Sequence, residues 1–201
     1  LPHSAAVTGY DSVDGPLVTF VPAYIDTIWP DPGVRARGQY TRVRLAVEVP
    51  GSFPKGTVFG WDFGDGQSAE GASVDHLYLS MGRFQAKLTA TTAGKSQTIG
   101  WPVEVFEVQH VAGDIRQGRY PDYVKLAAGY DMAKLDATNL GELVHLYGEG
   151  GDSKRAVAAG RDWVRRFGKI RPEQAPAVRR VLALAALSAG DTGIDEAIAN
   201  F

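Results

Sequence analysis

The chain has 201 residues, a mass of 21.6 kDa, a net charge of −2 and a pI near 6.1. A hydrophobic fraction of 44% beside 22% charged residues is typical of a folded soluble protein and excludes wholesale disorder. The slightly acidic balance lacks the positive field that a phosphate backbone attracts, so nucleic acid is excluded as a partner. The sequence has no cysteine, which excludes disulfides, thiolate metal sites and thiol catalysis. No apolar run reaches the roughly 18–20 residues of a transmembrane segment.

The first half of the chain, from about Leu17 to Val108, has the alternating apolar pattern of half-buried β-strands. Period two is the spacing of side chains on one face of a strand. Several such segments, separated by turns that contain Gly and Pro, predict an antiparallel β-sandwich. The alternating sets are Val43, Leu45 and Val47; Phe84, Ala86, Leu88 and Ala90; and Trp101, Val103 and Val105.

One stretch, from Trp61 to Gly66, predicts a strand that ends in a tight turn. Trp61 and Phe63 lie on one strand face, where an indole normally fills the core of a sandwich. The glycines that follow permit positive φ, and the two aspartates can accept hydrogen bonds from nearby backbone N–H groups. The residues that form the complete motif are Trp61, Asp62, Gly64, Asp65, Gly66, His76, Tyr78 and Gly82.

The spacing of this motif resembles that of the PKD (polycystic kidney disease) domain, an immunoglobulin-like sandwich, over about residues 39–108. The resemblance implies that Tyr78 closes a corner of the sandwich by bonding its hydroxyl to the backbone, with a structural hydrogen bond at His76 beside it. It also implies a non-catalytic module of extracellular or cell-envelope proteins, which binds proteins or sugars or holds other domains apart.

Asp62 and Asp65 admit a second interpretation as a weak calcium site, because clustered carboxylates supply hard oxygen ligands. No third acidic residue follows nearby, so turn stabilisation is the favoured role. The four histidines are scattered, and no catalytic constellation of nucleophile and base is present. The sequence therefore predicts no enzyme, no cofactor and no bound metal.

The second half changes to a helical period and becomes rich in Ala and Leu. We expect a β-sandwich domain with an N-terminal strand or arm over residues 1–112, a linker over 113–121 and an α-helical domain over 122–201. Asp136, Asp152 and Asp191 are placed to cap helices. The predicted helices cover 122–134, 137–147, 153–167 and 172–189, with a partial one from 194.

The helical half resembles a degenerate stack of helical hairpins of the tetratricopeptide (TPR) type. Gly151-Asp152 recurs as Gly190-Asp191, and Tyr147 and Ala156 lie where such repeats carry one large and one small residue. A short stack cannot bury both of its faces. We therefore expect apolar surface near Phe201 to be covered by the sandwich, by further chain or by a partner.

Two further groups of residues are candidates for interaction. Arg161, Arg165, Arg166 and Lys169 form a cationic cluster, which is either a solvated helix face or a docking face for an acidic protein or anionic lipid headgroups. Trp29 belongs to an aromatic, proline-rich segment. That segment either contacts sugars or a protein, or forms the first strand of the sandwich and its cover.

These patterns favour a non-enzymatic interaction or scaffolding subunit of a larger extracytoplasmic or membrane-associated assembly, with other protein subunits as partners. The alternative is a carbohydrate-binding or spacer module of an exported hydrolase. Because the chain begins at Leu1 rather than Met, a removed leader or a longer polypeptide is expected. The expected location is extracytoplasmic, either periplasmic or at the cell surface or secreted.

Overall fold

The computed structural model describes residues 25–28, 40–47, 53–105 and 120–190. These residues divide into two compact units, one built of strands and the other of helices. The predicted order of a β-sandwich followed by an all-α part is confirmed. Trp29, the helix predicted from 194 and Phe201 lie outside the described residues.

Within the described ranges, seven strands form two antiparallel sheets. The strands are β1 (Ile25–Ile28), β2 (Tyr40–Ala46), β3 (Val58–Asp62), β4 (Ser68–Glu70), β5 (Ser73–Tyr78), β6 (Gly82–Thr92) and β7 (Lys95–Val105). Their orders in the two sheets are β1-β2-β5 and β4-β3-β6-β7.

One hydrophobic core fills the strand unit and takes side chains from both sheets. Trp61 of β3 is 2% exposed and is paired in register with Leu88 of β6, which is also buried. Val43 and Leu45 of β2 join the same core, as their alternation with Arg42 and Arg44 predicts. Arg83, Gln85 and Lys87, which alternate with the core positions of β6, are exposed, so the period-two pattern is confirmed there.

The long β6–β7 hairpin turns at two residues, Ala93 and Gly94, both of which have positive φ, 49° and 76°. Such a pair is typical of the two-residue turns whose twist matches that of the flanking strands. A glycine fits this conformation without steric cost, which explains Gly94.

Between residues 120 and 190, the part of the helical unit that the structure describes, there are four helices and one short 3-10 segment. They are α1 (Tyr120–Ala127), the 3-10 helix Met132–Lys134, α2 (Ala137–Glu149), α3 (Ser153–Phe167) and α4 (Ala175–Ala189). Asp136 and Asp152 cap α2 and α3 as predicted, accepting from the backbone N–H groups of Asn139 and Arg155 at 2.8 and 3.1 Å.

The predicted boundaries are wrong at both ends of α1 and at the start of α4, and α2 ends at Glu149 instead of 147. The helix expected over 122–134 begins earlier, at Tyr120, and ends at Ala127, because a glycine-containing turn follows and Asp131 caps the separate 3-10 segment. α4 begins at Ala175 instead of 172, with Pro176 in its first turn, where a missing N–H costs little.

Close packing among α2, α3 and α4 depends on glycine. A Cβ at Gly148 would lie 2.6 Å from Val181, and one at Gly160 would lie 3.1 Å from Leu182. The indole of Trp163 is fully buried and donates to the carbonyl of Ala137 at 2.7 Å. Tyr147 and Ala156 are buried too, which is compatible with a helical hairpin, while the tetratricopeptide assignment stays a prediction. No helix among the described residues is long and apolar enough to span a bilayer.

Candidate functional site

The turn after β3 holds a buried pair of ionisable groups. Asp65 Oδ2 and His76 Nε2 are 2.7 Å apart, and their side chains are only 5% and 2% exposed. The other carboxylate oxygen of Asp65 accepts from the backbone N–H of Gln67 at 3.0 Å. The His76 ring stacks on Phe63 with a centroid distance of 3.8 Å. His76 thus makes its bond to the turn, in the structural role that the motif predicts.

Tyr78 connects the same turn to the opposite sheet. Its hydroxyl donates to the carbonyl of Phe63 at 3.0 Å, and its ring meets His76 edge-on. Burial raises the pKa of Tyr78 far above the usual range of a phenol. Since Tyr78 and His76 belong to β5 whereas Phe63 and Asp65 follow β3, these bonds join the two layers of the sandwich.

Two further polar groups of the motif bond within the same unit, one to the β4–β5 connection and one inside the turn after β3. Trp61 Nε1 donates to the carbonyl of Gly71 at 2.7 Å, and Asp62 Oδ1 accepts from the N–H of Gly64 at 3.0 Å. Gly82 begins β6 at an exposed position. Across the described ranges, no group of three or more His, Asp or Glu side chains is placed to hold a metal ion. The bonds of Asp62 and Asp65 support turn stabilisation as their role.

A shallow groove of about 390 Å³ lies on the outer face of the four-stranded sheet. Its charged groups are Asp62, Glu70 and Lys87, and Thr89 on its floor shares a hydrogen bond with Thr98 at 2.8 Å. A Cβ at Gly60 would meet only the carbonyl of Thr89, at 3.9 Å. Glycine is therefore not required there by packing, and its absence of a side chain leaves the centre of the groove open. The lining residues are Gly60, Trp61, Asp62, Ser68, Ala69, Glu70, Lys87 and Thr89.

The other sheet carries an ion-pair cluster on its outer face. Asp75 of β5 accepts from Arg44 at 2.8 Å and from Arg42 at 2.9 Å, both on β2. The hydrogen bond from Arg44 lowers the pKa of Asp75, and the same bond raises the pKa of Arg44. Because these three side chains already pair with one another, they have less capacity to form ion pairs with a partner protein.

The cationic residues predicted as an interaction cluster in the helical half have different environments in the structure. Arg166 donates to three backbone carbonyls, those of Met132, Ala133 and Leu135, at 2.7, 3.2 and 2.8 Å. Its guanidinium also lies 4.6 Å from the centroid of the Phe167 ring. Arg166 thus fixes the segment between α1 and α2. Its N–H donors bond within the protein and are not directed at a partner.

Arg161, Arg165 and Lys169 are exposed, and Arg165 pairs with Asp162 while its side chain remains 78% exposed. Sequence reasoning missed Lys154 and Arg155, which extend the same exposed side of α3, and Ile170, which is 69% exposed. A helical plot of 153–167 would have found the first two. The exposure of Ile170 follows from the α3–α4 turn, which the sequence does not specify.

Two stacked antiparallel sheets, tied by a buried tyrosine bonded to the backbone, define an immunoglobulin-like sandwich. Residues 36–105 match the model of the PKD domain family, and this part of the chain is a PKD domain.

Solved structures give matches of low identity. The chain is similar to the PKD1 domain of Vibrio anguillarum Epp, with 21% identity, a TM-score of 0.25, and coverage of 43% of this chain and 94% of that one. It is also similar to the PKD domain of the human VPS10 domain-containing receptor SorCS2, with 18% identity, a TM-score of 0.28, and coverage of 54% and 99%. No curated protein gives a significant match.

Proposed function

We propose that this chain is a non-enzymatic protein–protein interaction or scaffolding subunit of a larger extracytoplasmic or membrane-associated assembly. The observation that supports the proposal most is the use of the motif's polar groups inside the fold. His76 bonds to Asp65, and Tyr78 bonds to the backbone at Phe63. These bonds make the sandwich rigid and leave its outer surfaces for binding. PKD domains are non-catalytic modules that occur in extracellular proteins and mediate interactions or act as spacers.

The groove over Gly60 is the binding face that we propose for the strand unit. It presents both signs of charge, from Glu70 and Lys87, beside hydroxyl groups on a rigid sheet. Such a surface matches a polar loop of a partner protein and fixes the orientation of the complex through charge complementarity. The outer face of a strand-centred glycine allows the partner's backbone to approach closely.

The test is to fill the groove without disturbing the fold. Gly60→Gln adds a side chain where a Cβ meets no atom closer than 3.9 Å, so folding should be preserved while the groove is blocked. Val58→Gln is the matched control, because Val58 lies on the same strand, is 50% exposed and does not line the groove. We expect a stoichiometric partner in native purification with the unchanged chain and with Val58→Gln, and its loss with Gly60→Gln.

The carbohydrate-binding alternative makes a different prediction. Sugar sites commonly use exposed aromatic faces, and none of the Phe, Tyr or Trp side chains whose burial the structure describes is exposed. Retention on insoluble polysaccharide with no protein partner in native purification would contradict the interaction proposal. So would equal partner recovery with Gly60→Gln and the unchanged chain.

A further inference from the structure

Positive charge is concentrated on α3 and the turn that follows it. Residues 153–171 contain seven cationic residues and one acidic residue, in a chain whose net charge is −2. The cationic residues of this segment are Lys154, Arg155, Arg161, Arg165, Arg166, Lys169 and Arg171.

The fold places most of these charges on one side of α3. The buried side is apolar and includes Ala156, Gly160 and Trp163. Every exposed residue of α3 is either cationic or alanine, and Lys169 continues the same side just beyond the helix end. We call the exposed residues Lys154, Arg155, Arg161, Arg165 and Lys169 the cationic stripe. From Lys154 to Arg165 the stripe runs about 16 Å, at 1.5 Å per residue.

The acidic neighbours of the stripe do not hide its charge. Asp162 pairs with Arg165, but its own side chain is 14% exposed whereas that of Arg165 is 78% exposed. Asp152 pairs with Arg155 with the same asymmetry, 23% against 50% exposed. A surface that approaches α3 therefore meets the guanidinium groups before the carboxylates.

An exposed apolar residue lies at the end of the stripe. Ile170 is 69% exposed in the α3–α4 turn, and its sequence neighbours Lys169 and Arg171 are exposed as well. An aliphatic side chain between two cations is suited to a boundary where anionic groups lie beside hydrocarbon. At such a boundary the cations contact the headgroups, and the isoleucine side chain transfers from water into the hydrocarbon.

The composition of the stripe favours a lipid surface over a protein partner. Cores of protein interfaces combine arginine with aromatic residues and are depleted in lysine, whereas the stripe combines its three arginines with two lysines and has no exposed aromatic residue. A leaflet of anionic lipids instead attracts each nearby cation without requiring shape complementarity. We infer that the cationic stripe, with Ile170 at its end, docks the helical unit on a membrane surface that contains anionic lipid headgroups.

The inference deepens the membrane-associated part of the proposed function and can fail separately from it. Binding is measured by co-sedimentation with vesicles of phosphatidylcholine alone and of phosphatidylcholine with phosphatidylglycerol. We expect binding only to the anionic vesicles, weakening steeply with added salt. Gly60→Gln should bind these vesicles like the unchanged chain, so a negative vesicle result leaves the groove experiment interpretable.

Matched neutralisations test the residues. Lys154, Arg165 and Lys169 of the stripe, changed together to Gln, should lower vesicle affinity about a hundredfold, since each cation contributes about fivefold. The control changes three exposed lysines elsewhere, Lys55, Lys95 and Lys125, to Gln and should keep affinity within about twofold. If the two variants lose vesicle affinity equally, the net charge of the protein explains the binding, and the proposal of a docking surface is wrong.

The position of Ile170 is tested by labelling. Because the sequence has no cysteine, Ile170→Cys carries an environment-sensitive dye at a single site, and Met81→Cys, 54% exposed in the strand unit, is the control. A blue shift at position 170 with anionic vesicles, and none at position 81, is expected. No vesicle binding, equal binding to neutral vesicles, or stripe-dependent binding to a protein partner instead would each overturn the inference.

Discussion

Gly64 is held at positive φ and is also pressed against a neighbouring strand. Its φ is 80°, and a Cβ built there would lie 2.6 Å from the backbone oxygen of Gln85 in β6. The first requirement can be predicted from the Gly-Asp-Gly sequence of the turn. The second cannot, because it arises from β6, some twenty residues further along the chain, and depends on how closely the turn folds onto that strand.

Gly64→Ala should therefore be far more costly than an ordinary substitution at positive φ. We expect a loss of about 3 kcal/mol or more in the free energy of unfolding, from left-handed strain and backbone overlap together. Gly94→Ala is the control, because its φ is 76° and no atom lies within 4 Å of a Cβ there. It should lose about 1 kcal/mol. Urea unfolding measures both, and similar losses would mean that the overlap with Gln85 has no energetic weight.

At the scale of elements, the segment between α1 and α2 depends on an arginine from α3. Arg166 bonds to the carbonyls of Met132, Ala133 and Leu135, and its side chain is 26% exposed. This cross-element contact replaces the regular helix that the sequence pattern predicts up to residue 134. Sequence reasoning grouped Arg165 and Arg166 in one cluster, because adjacent positions on a helix do not reveal which of the two faces a neighbouring segment.

Two adjacent substitutions separate these roles. Arg166→Ala should lower the free energy of unfolding by about 2–4 kcal/mol, because three carbonyls lose a charged donor. Arg165→Ala should change it by no more than about 0.5 kcal/mol, since the Arg165 side chain is 78% exposed and Asp162 keeps its second partner, Arg166. Thermal and urea unfolding give the comparison. Equal effects of the two substitutions would contradict the anchoring role of Arg166.

What the sequence predicts well at this scale follows from local chemistry. The caps at Asp136 and Asp152, and the buried face of β6, rest on residues close together in sequence. The groove over Gly60 could not be predicted in this way, because its lining comes from three strands whose register is a tertiary property. The cationic cluster was predictable as charge, but its division into an anchor and an exposed stripe was not.

For the whole molecule, the proposed division into independent domains predicts that a destabilising substitution in one unit does not destabilise the other. The strand unit and the helical unit each have their own buried core. Hydrogen exchange measured by mass spectrometry should show faster exchange of residues 40–105 in Gly64→Ala and of residues 120–190 in Arg166→Ala, with the other unit unchanged. Faster exchange throughout the chain in either variant would mean that the two units unfold as one.

The bonds from Tyr78 to Phe63 and from His76 to Asp65 join two β-layers that many related sandwiches fasten with a covalent bridge. Each of these bonds forms as soon as the layers meet, and neither needs an oxidant or an isomerase. Production of the folded chain should therefore be indifferent to reductant in the growth host or the buffer, which makes it a convenient scaffold for thiol-directed probes.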